Sequence, residues 1–136
     1  MRFLFFSEKE DEYYLIDAKG NRVGDVVAYS ISRSEGGYKA EDEDGKYAIL
    51  DKDGNKVTDF KYVDLYYRNN AKPRNLWTAK LEGDNVDVID VDNKKVILEN
   101  VSIDSFQENY FTVEKDNGDI EYYTLDGKLF YTDEEE

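Results

Sequence analysis

The sequence contains no cysteine and no histidine. Disulfide frameworks, thiolate nucleophiles and thiolate metal sites therefore cannot be built. The missing imidazole removes the commonest general base and the commonest transition-metal ligand, so Ser-His-Asp, Cys-His and zinc chemistry are excluded by inventory. Proline occurs once, at Pro73, and no stretch shows helical periodicity of useful length. Long apolar runs are missing too: Phe3 to Phe6, followed by the charged stretch Glu8 to Glu12, is far shorter than a secretory core or a membrane span. These features predict a cytoplasmic protein with no membrane partner.

Positive charge is also scarce. Eighteen basic residues face 32 acidic ones, for a formal charge of −14. A field of that sign repels phosphate backbones and anionic headgroups, which argues against nucleic acid as a ligand. It speeds encounter with a protein that carries a basic surface, the one partner class the charge favours, and it keeps a small β-protein soluble.

What is present is aromatic and β-forming. The 136 residues include 12 Tyr, 7 Phe and 1 Trp within a 40% hydrophobic content, enough for a modest core despite the high charge. One domain is expected over residues 1–131, followed by an acidic tail over 132–136 that closes in Asp133-Glu134-Glu135-Glu136.

The chain repeats itself. Tyr13-Tyr14-Leu15-Ile16-Asp17 with the turn through Gly20 matches Tyr47-Ala48-Ile49-Leu50-Asp51 with the turn through Gly54, 34 positions on (20 to 54). A third copy, Val86-Asp87-Val88-Ile89-Asp90, follows after 39 (54 to 93), with Asn93 at the glycine position, where Asn best tolerates positive φ. A fourth, from Glu121 to Leu125 with Gly127, comes 34 further (93 to 127). Each copy is preceded by an apolar run (Phe3 to Phe6, Tyr38 to Ala40, Leu76 to Leu81, Tyr110 to Val113) and a polar turn rich in Asp, Asn and Gly. Asp-Gly and Asn-Gly between β-rich runs signal hairpins, with Gly supplying the positive φ of primed turns. Val27, Tyr29 and Ile31 on one face, then Val63, Leu65 and Tyr67, then Val101 and Ile103, form alternating connectors that add a further strand to each unit. The fold class is therefore all-β: tandem antiparallel hairpin or meander repeats, about four units of 34 to 39 residues, arranged as an open curled sheet or a small propeller- or barrel-like array. Arg68 to Asn75, which includes Pro73, is the most loop-like segment and lengthens the second interval.

The matched segment, aromatic, small, apolar, apolar, Asp, turn, Gly, polar, Val, resembles the WG (KWG) repeat family of bacterial proteins. Tyr47 to Val57 is the best match, and Asp59-Phe60-Lys61-Tyr62-Val63 is similar to the aromatic connector of that family. The namesake Trp-Gly is absent: Tyr13, Tyr47, Val86 and Tyr122 stand in place of Trp. The resemblance implies an array of β-meanders that serves as an interaction scaffold without catalytic residues of its own.

Two kinds of side chain could carry function. Asp51-Lys52-Asp53-Gly54-Asn55, Asp42-Glu43-Asp44-Gly45 and Asp116 to Glu121 place oxygen ligands beside a glycine, the local grammar of a calcium loop. None completes the EF-hand spacing, and turn chemistry alone demands the same residues, so no metal and no cofactor are expected. Carboxylates are too abundant for adjacency to mark an acid–base pair, so no enzymatic activity is expected. The doublets Tyr13-Tyr14, Tyr66-Tyr67 and Tyr122-Tyr123 say more, because neighbours on a strand point to opposite faces. Either both faces are covered or one ring of each pair is exposed as an interface anchor. The candidate binding residues are Tyr66, Tyr67 and Trp77, which flank the irregular loop, with Asp42, Glu43 and Asp44 as carboxylates of an acidic rim. The expected function is a non-enzymatic protein-binding module with an acidic, tyrosine-rich β-surface. The alternatives are a small acidic inhibitor or immunity protein that blocks a basic toxin or nucleic-acid enzyme, and a carbohydrate or cell-surface binder that stacks sugars on Trp77.

Overall fold

The computed structural model describes residues 4–9, 12–71 and 74–134, the first of these as backbone. Phe3, Glu10, Asp11, Lys72, Pro73, Glu135 and Glu136, on which parts of the sequence reading fall, lie outside the described residues. The chain is built almost entirely of antiparallel strands. In order they are β1 (Leu4–Lys9), β2 (Glu12–Ile16), β3 (Arg22–Ala28), β4 (Ser30–Ser34), β5 (Gly37–Glu41), β6 (Tyr47–Leu50), β7 (Asp64–Tyr67), β8 (Leu76–Lys80), β9 (Val86–Asp90), β10 (Lys95–Phe106), β11 (Tyr110–Glu114), β12 (Ile120–Thr124) and β13 (Leu129–Asp133). A short 3₁₀ turn, Asn69–Ala71, interrupts the loop before β8.

Every sheet is a meander of sequence neighbours: β1-β2-β3, β4-β5-β6 and a seven-stranded ladder from β7 to β13. The long strand β10 pairs with β9 through Lys95–Val101 and with β11 through Ser102–Phe106, so it is shared by two successive meanders. Among the described residues, none of the three sheets closes on itself. The chain falls into two compact units, Met1–Leu65 and Tyr66–Glu136. Thr132 and Asp133, placed in a tail by composition, are residues of β13.

The turns explain the repeat. Asp17 and Asp51 do the same work: the Gly20 and Gly54 amides donate to the Asp17 and Asp51 carbonyls at 3.0 Å each. The Asp17 Oδ1 accepts from the Lys19 and Asn21 amides, as Asp51 Oδ1 does from Asp53 and Asn55. Only the glycine of each turn has positive φ, +85° and +84°. A primed type I′ turn needs two such residues, so these are type I turns closed by a glycine bulge, not the primed hairpins expected. Two positions depart from the glycine pattern. Positive φ falls on Lys94 rather than Asn93, and on Asp84 rather than Gly83.

Each unit has its own core. Leu15, Ala28, Ile31, Tyr38, Ala40 and Leu50 pack together in the first. Ala71, Leu76, Val88, Phe111, Val113 and Leu125 do so in the second. The first connector does not keep one face: the strand breaks at Tyr29, so Val27 and Tyr29 are exposed while Ile31 is buried. The two units share a template, because strands recur 73 positions apart, as in the Gly37–Glu41 and Tyr110–Glu114 pair (37 to 110).

Candidate functional site: an aromatic face on the last three strands

The ladder register builds one side of β11, β12 and β13 row by row. Thr112 lies opposite Tyr122, and Tyr122 opposite Tyr131; two residues along, Glu114 lies opposite Ile120, and Ile120 opposite Asp133. Alternation along each strand puts these rows on the same face. Between β12 and β13 the register slips, so that Tyr123 pairs with Leu129 while Tyr122 pairs with Tyr131, and Phe130 is the extra residue of a β-bulge. Two consecutive aromatics therefore reach one side. Phe130 stands edge-on to Tyr122 at 6.1 Å and to Tyr110 at 6.4 Å, Tyr131 edge-on to Tyr122 at 5.4 Å, and Tyr110 stacks on Tyr122 at 5.8 Å.

These four rings form one open aromatic cluster. Phe130 and Tyr131 are each 56% exposed, and Tyr110 and Tyr122 are half-buried beneath them. Edge-to-face pairs hold the rings in fixed orientations, which lowers the entropy lost when a partner covers them. The carboxylates of Glu114, Asp133 and Glu134 are exposed along one border. Below the cluster, Thr112 is buried, and its Oγ1 donates to Asp104 Oδ2 and pairs with Ser105 Oγ, which ties β11 to β10.

The opposite side of the same strands is core. Tyr123 stacks on Phe111, which stacks in turn on Phe106. The Tyr123 hydroxyl donates to Glu121 Oε1 at 2.7 Å. Burial, and then this carboxylate partner, push its phenol up to about 12. Tyr122 and Tyr123 thus do face opposite ways, as a strand requires.

The residues singled out from the sequence are dispersed. Trp77 is fully buried, with its indole N–H donating to Asn75 Oδ1, so it presents no ring to a ligand and cannot stack a sugar; this corrects its reading as an exposed anchor. Tyr67 is half-buried edge-on against Trp77 at 6.1 Å, and Tyr66 alone of the three is open, at 44%. Asp42, Glu43 and Asp44 form a turn of the first unit in which Asp42 Oδ1 accepts from the Asp44 and Lys46 amides. The turn aspartates are thus engaged by backbone N–H groups, and among the described residues no three acidic side chains converge to hold a metal ion.

Buried polar groups are likewise spoken for. Arg68 Nε donates to Thr78 Oγ1 at 3.0 Å with its guanidinium 5.3 Å from the Phe106 ring, and its burial lowers its pKa. Asp87 Oδ1 accepts from the amide of Asn100, a positive-φ residue of the β10 bulge. Among the described residues no buried side-chain donor or acceptor lacks a partner.

Sequence reasoning passed over Phe130 and Tyr131 because alternation assigns adjacent residues to opposite faces, and the bulge that defeats it depends on tertiary register. The available signal was the uninterrupted Leu129-Phe130-Tyr131 run at the end of the chain.

Together these features define an all-β chain of antiparallel meanders whose most exposed apolar feature, among the described residues, is an aromatic sheet face. No protein-family model matches the chain, and no curated protein matches it. Two solved structures are similar in outline. The computationally designed Ika8 protein is 14% identical with a TM-score of 0.42, over 96% of this chain and 45% of that one. The WD40 β-propeller domain of Doa1 is 14% identical with a TM-score of 0.39, over 96% of this chain and 50% of that one. The chain thus spans about half the length of these structures.

Proposed function

We propose that this protein is a non-enzymatic protein-binding module that engages a basic partner through the aromatic face of β11, β12 and β13. The observation that carries this reading is the cluster of Tyr110, Tyr122, Phe130 and Tyr131, bordered by carboxylates in a chain of net charge −14. Rigid exposed aromatics are typical binding anchors, and a negative border steers and orients a positive partner. The reading predicts a salt-sensitive interaction that depends on the rings. Replacing Phe130 and Tyr131 by Ser should weaken binding to a basic protein by roughly ten- to a hundredfold, the usual loss for central aromatic anchors. Biolayer interferometry against a panel of basic proteins at low and high salt measures this. Binding that ignores both salt and the double substitution would remove the proposal.

A further inference from the structure

Resting on that reading of the β11–β13 face, we propose that the partner docks as an extended, lysine- or arginine-bearing segment that adds a strand to the free edge of β13. The strand β13 ends its ladder: β12 pairs on one side, and among the described residues no strand pairs on the other. An edge of this kind offers a row of backbone donors and acceptors to any extended chain. Natural edges are usually blunted by an inward charge, a lysine, a proline or a bulge; β13 carries a bulge at Phe130, which turns that ring and Tyr131 to one side. Here Leu129, Phe130 and Tyr131 are all exposed, and neither lysine nor proline occurs from Leu129 to Asp133.

The first unit differs at the same part of the template. Ile49 and Thr58 stand where the second unit has Tyr122 and Tyr131 (49 to 122, 58 to 131). Ile49 is fully buried and Thr58 is 8% exposed, against 56% for Tyr131. At this place the first unit is closed over small side chains, and the second leaves its ring open.

Charge selects the occupant. A strand laid beside β13 would set side chains two residues apart on the same face, first beside the Phe130 and Tyr131 rings and then beside the border at Asp133. Apolar groups suit the first, and lysine or arginine suits the second and also favours the ring faces. A second copy of this chain would instead bring the same carboxylates, and another −14, against its own kind.

The test begins by selecting peptides from a displayed library of short random sequences on the intact protein. The expected winners carry an apolar and a basic residue two positions apart. A resynthesised winner should slow amide exchange across residues 129–133, and N-methylation of alternate peptide nitrogens should weaken it at least about tenfold, since each methyl removes a ladder donor without changing charge. Equal affinity of the methylated peptide overturns strand addition while leaving the aromatic-face reading intact. Failure to enrich any peptide, or enrichment of peptides without basic residues, overturns the proposal outright. A concentration-dependent dimer in light scattering that is lost on Phe130→Ser with Tyr131→Ser assigns the edge to a second copy and overturns it as well.

Discussion

At four matched places the two units diverge. The second unit has Tyr110, Tyr122, Phe130 and Tyr131 where the first has Gly37, Ile49, Val57 and Thr58. In the first unit these residues serve packing: a Cβ on Gly37 would lie 2.3 Å from the Leu50 carbonyl oxygen, and Thr58 Oγ1 accepts the Ile49 amide at 3.1 Å. Beside them, Lys56 pairs with Asp59 at 3.0 Å, so charge occupies the stretch that corresponds to the bare β13 edge. The difference teaches that one hairpin template serves two ends, closed packing in one copy and an open aromatic surface in the other, through side-chain choice at a handful of positions.

The most disruptive way to break the contrast is to move an aromatic into the closed copy. Gly37→Tyr should destabilise by about 3 kcal/mol, since backbone and not a flexible side chain blocks the space. A lowered denaturant midpoint would show it, and an unchanged midpoint would mean the two copies are interchangeable there. The converse exchange, Phe130→Val with Tyr131→Thr, makes the second unit resemble the first. It should leave stability within about 1 kcal/mol, because both rings are largely exposed, yet cost at least about tenfold in binding.

A pH measurement sharpens the comparison further. Tyr123 occupies the place of Leu50 (50 to 123), so a core position that is inert in one unit titrates in the other. Its phenol ionises at about 12 in the folded chain against 10.0 as a free group, so the fold favours the neutral form. That contribution is intact below pH 10 and is lost as pH climbs toward 12. Tyr38 and Tyr47 are also raised by burial and add to the same alkaline loss. Tyr123→Phe should therefore flatten the decline in melting temperature over this range without abolishing it. An unaltered slope would mean that the hydroxyl contributes nothing.

The smallest expected effect concerns a turn. Lys94 holds φ +52°, whereas Gly20, at the matched turn of the first unit, holds +85° without a side chain to strain. Lys94→Gly should stabilise the second unit by roughly 0.5–1 kcal/mol, the left-handed penalty less the extra chain entropy of glycine. Thermal melts of the single variant suffice, and a loss of stability would show that the Lys94 side chain matters more than its backbone.

Much of this was legible along the chain. Asp17 with Gly20 and Asp51 with Gly54 announced equivalent turns, and the hydrogen bonds are equivalent. The apolar runs at Leu76 and Tyr110 became β8 and β11 almost residue for residue. Trp77 misled because a large amphipathic ring beside a loop suits an interface as well as a core, and only its neighbours decide. Lys94 misled because the turn through Val91 closes one residue later than composition implies, with the Lys94 amide donating to the Val91 carbonyl.

Composition, charge and short-range turn chemistry by themselves determined an all-β chain of meander repeats, because hairpin closure depends on a few adjacent residues and strand alternation on sequence parity. Tertiary structure alone decided which aromatics are buried, where β10 is shared between meanders, and that a bulge opposite Tyr122 and Tyr123 brings Phe130 and Tyr131 to one face. Those outcomes turn on register between strands distant in sequence, and a slip of one residue exchanges inside for outside.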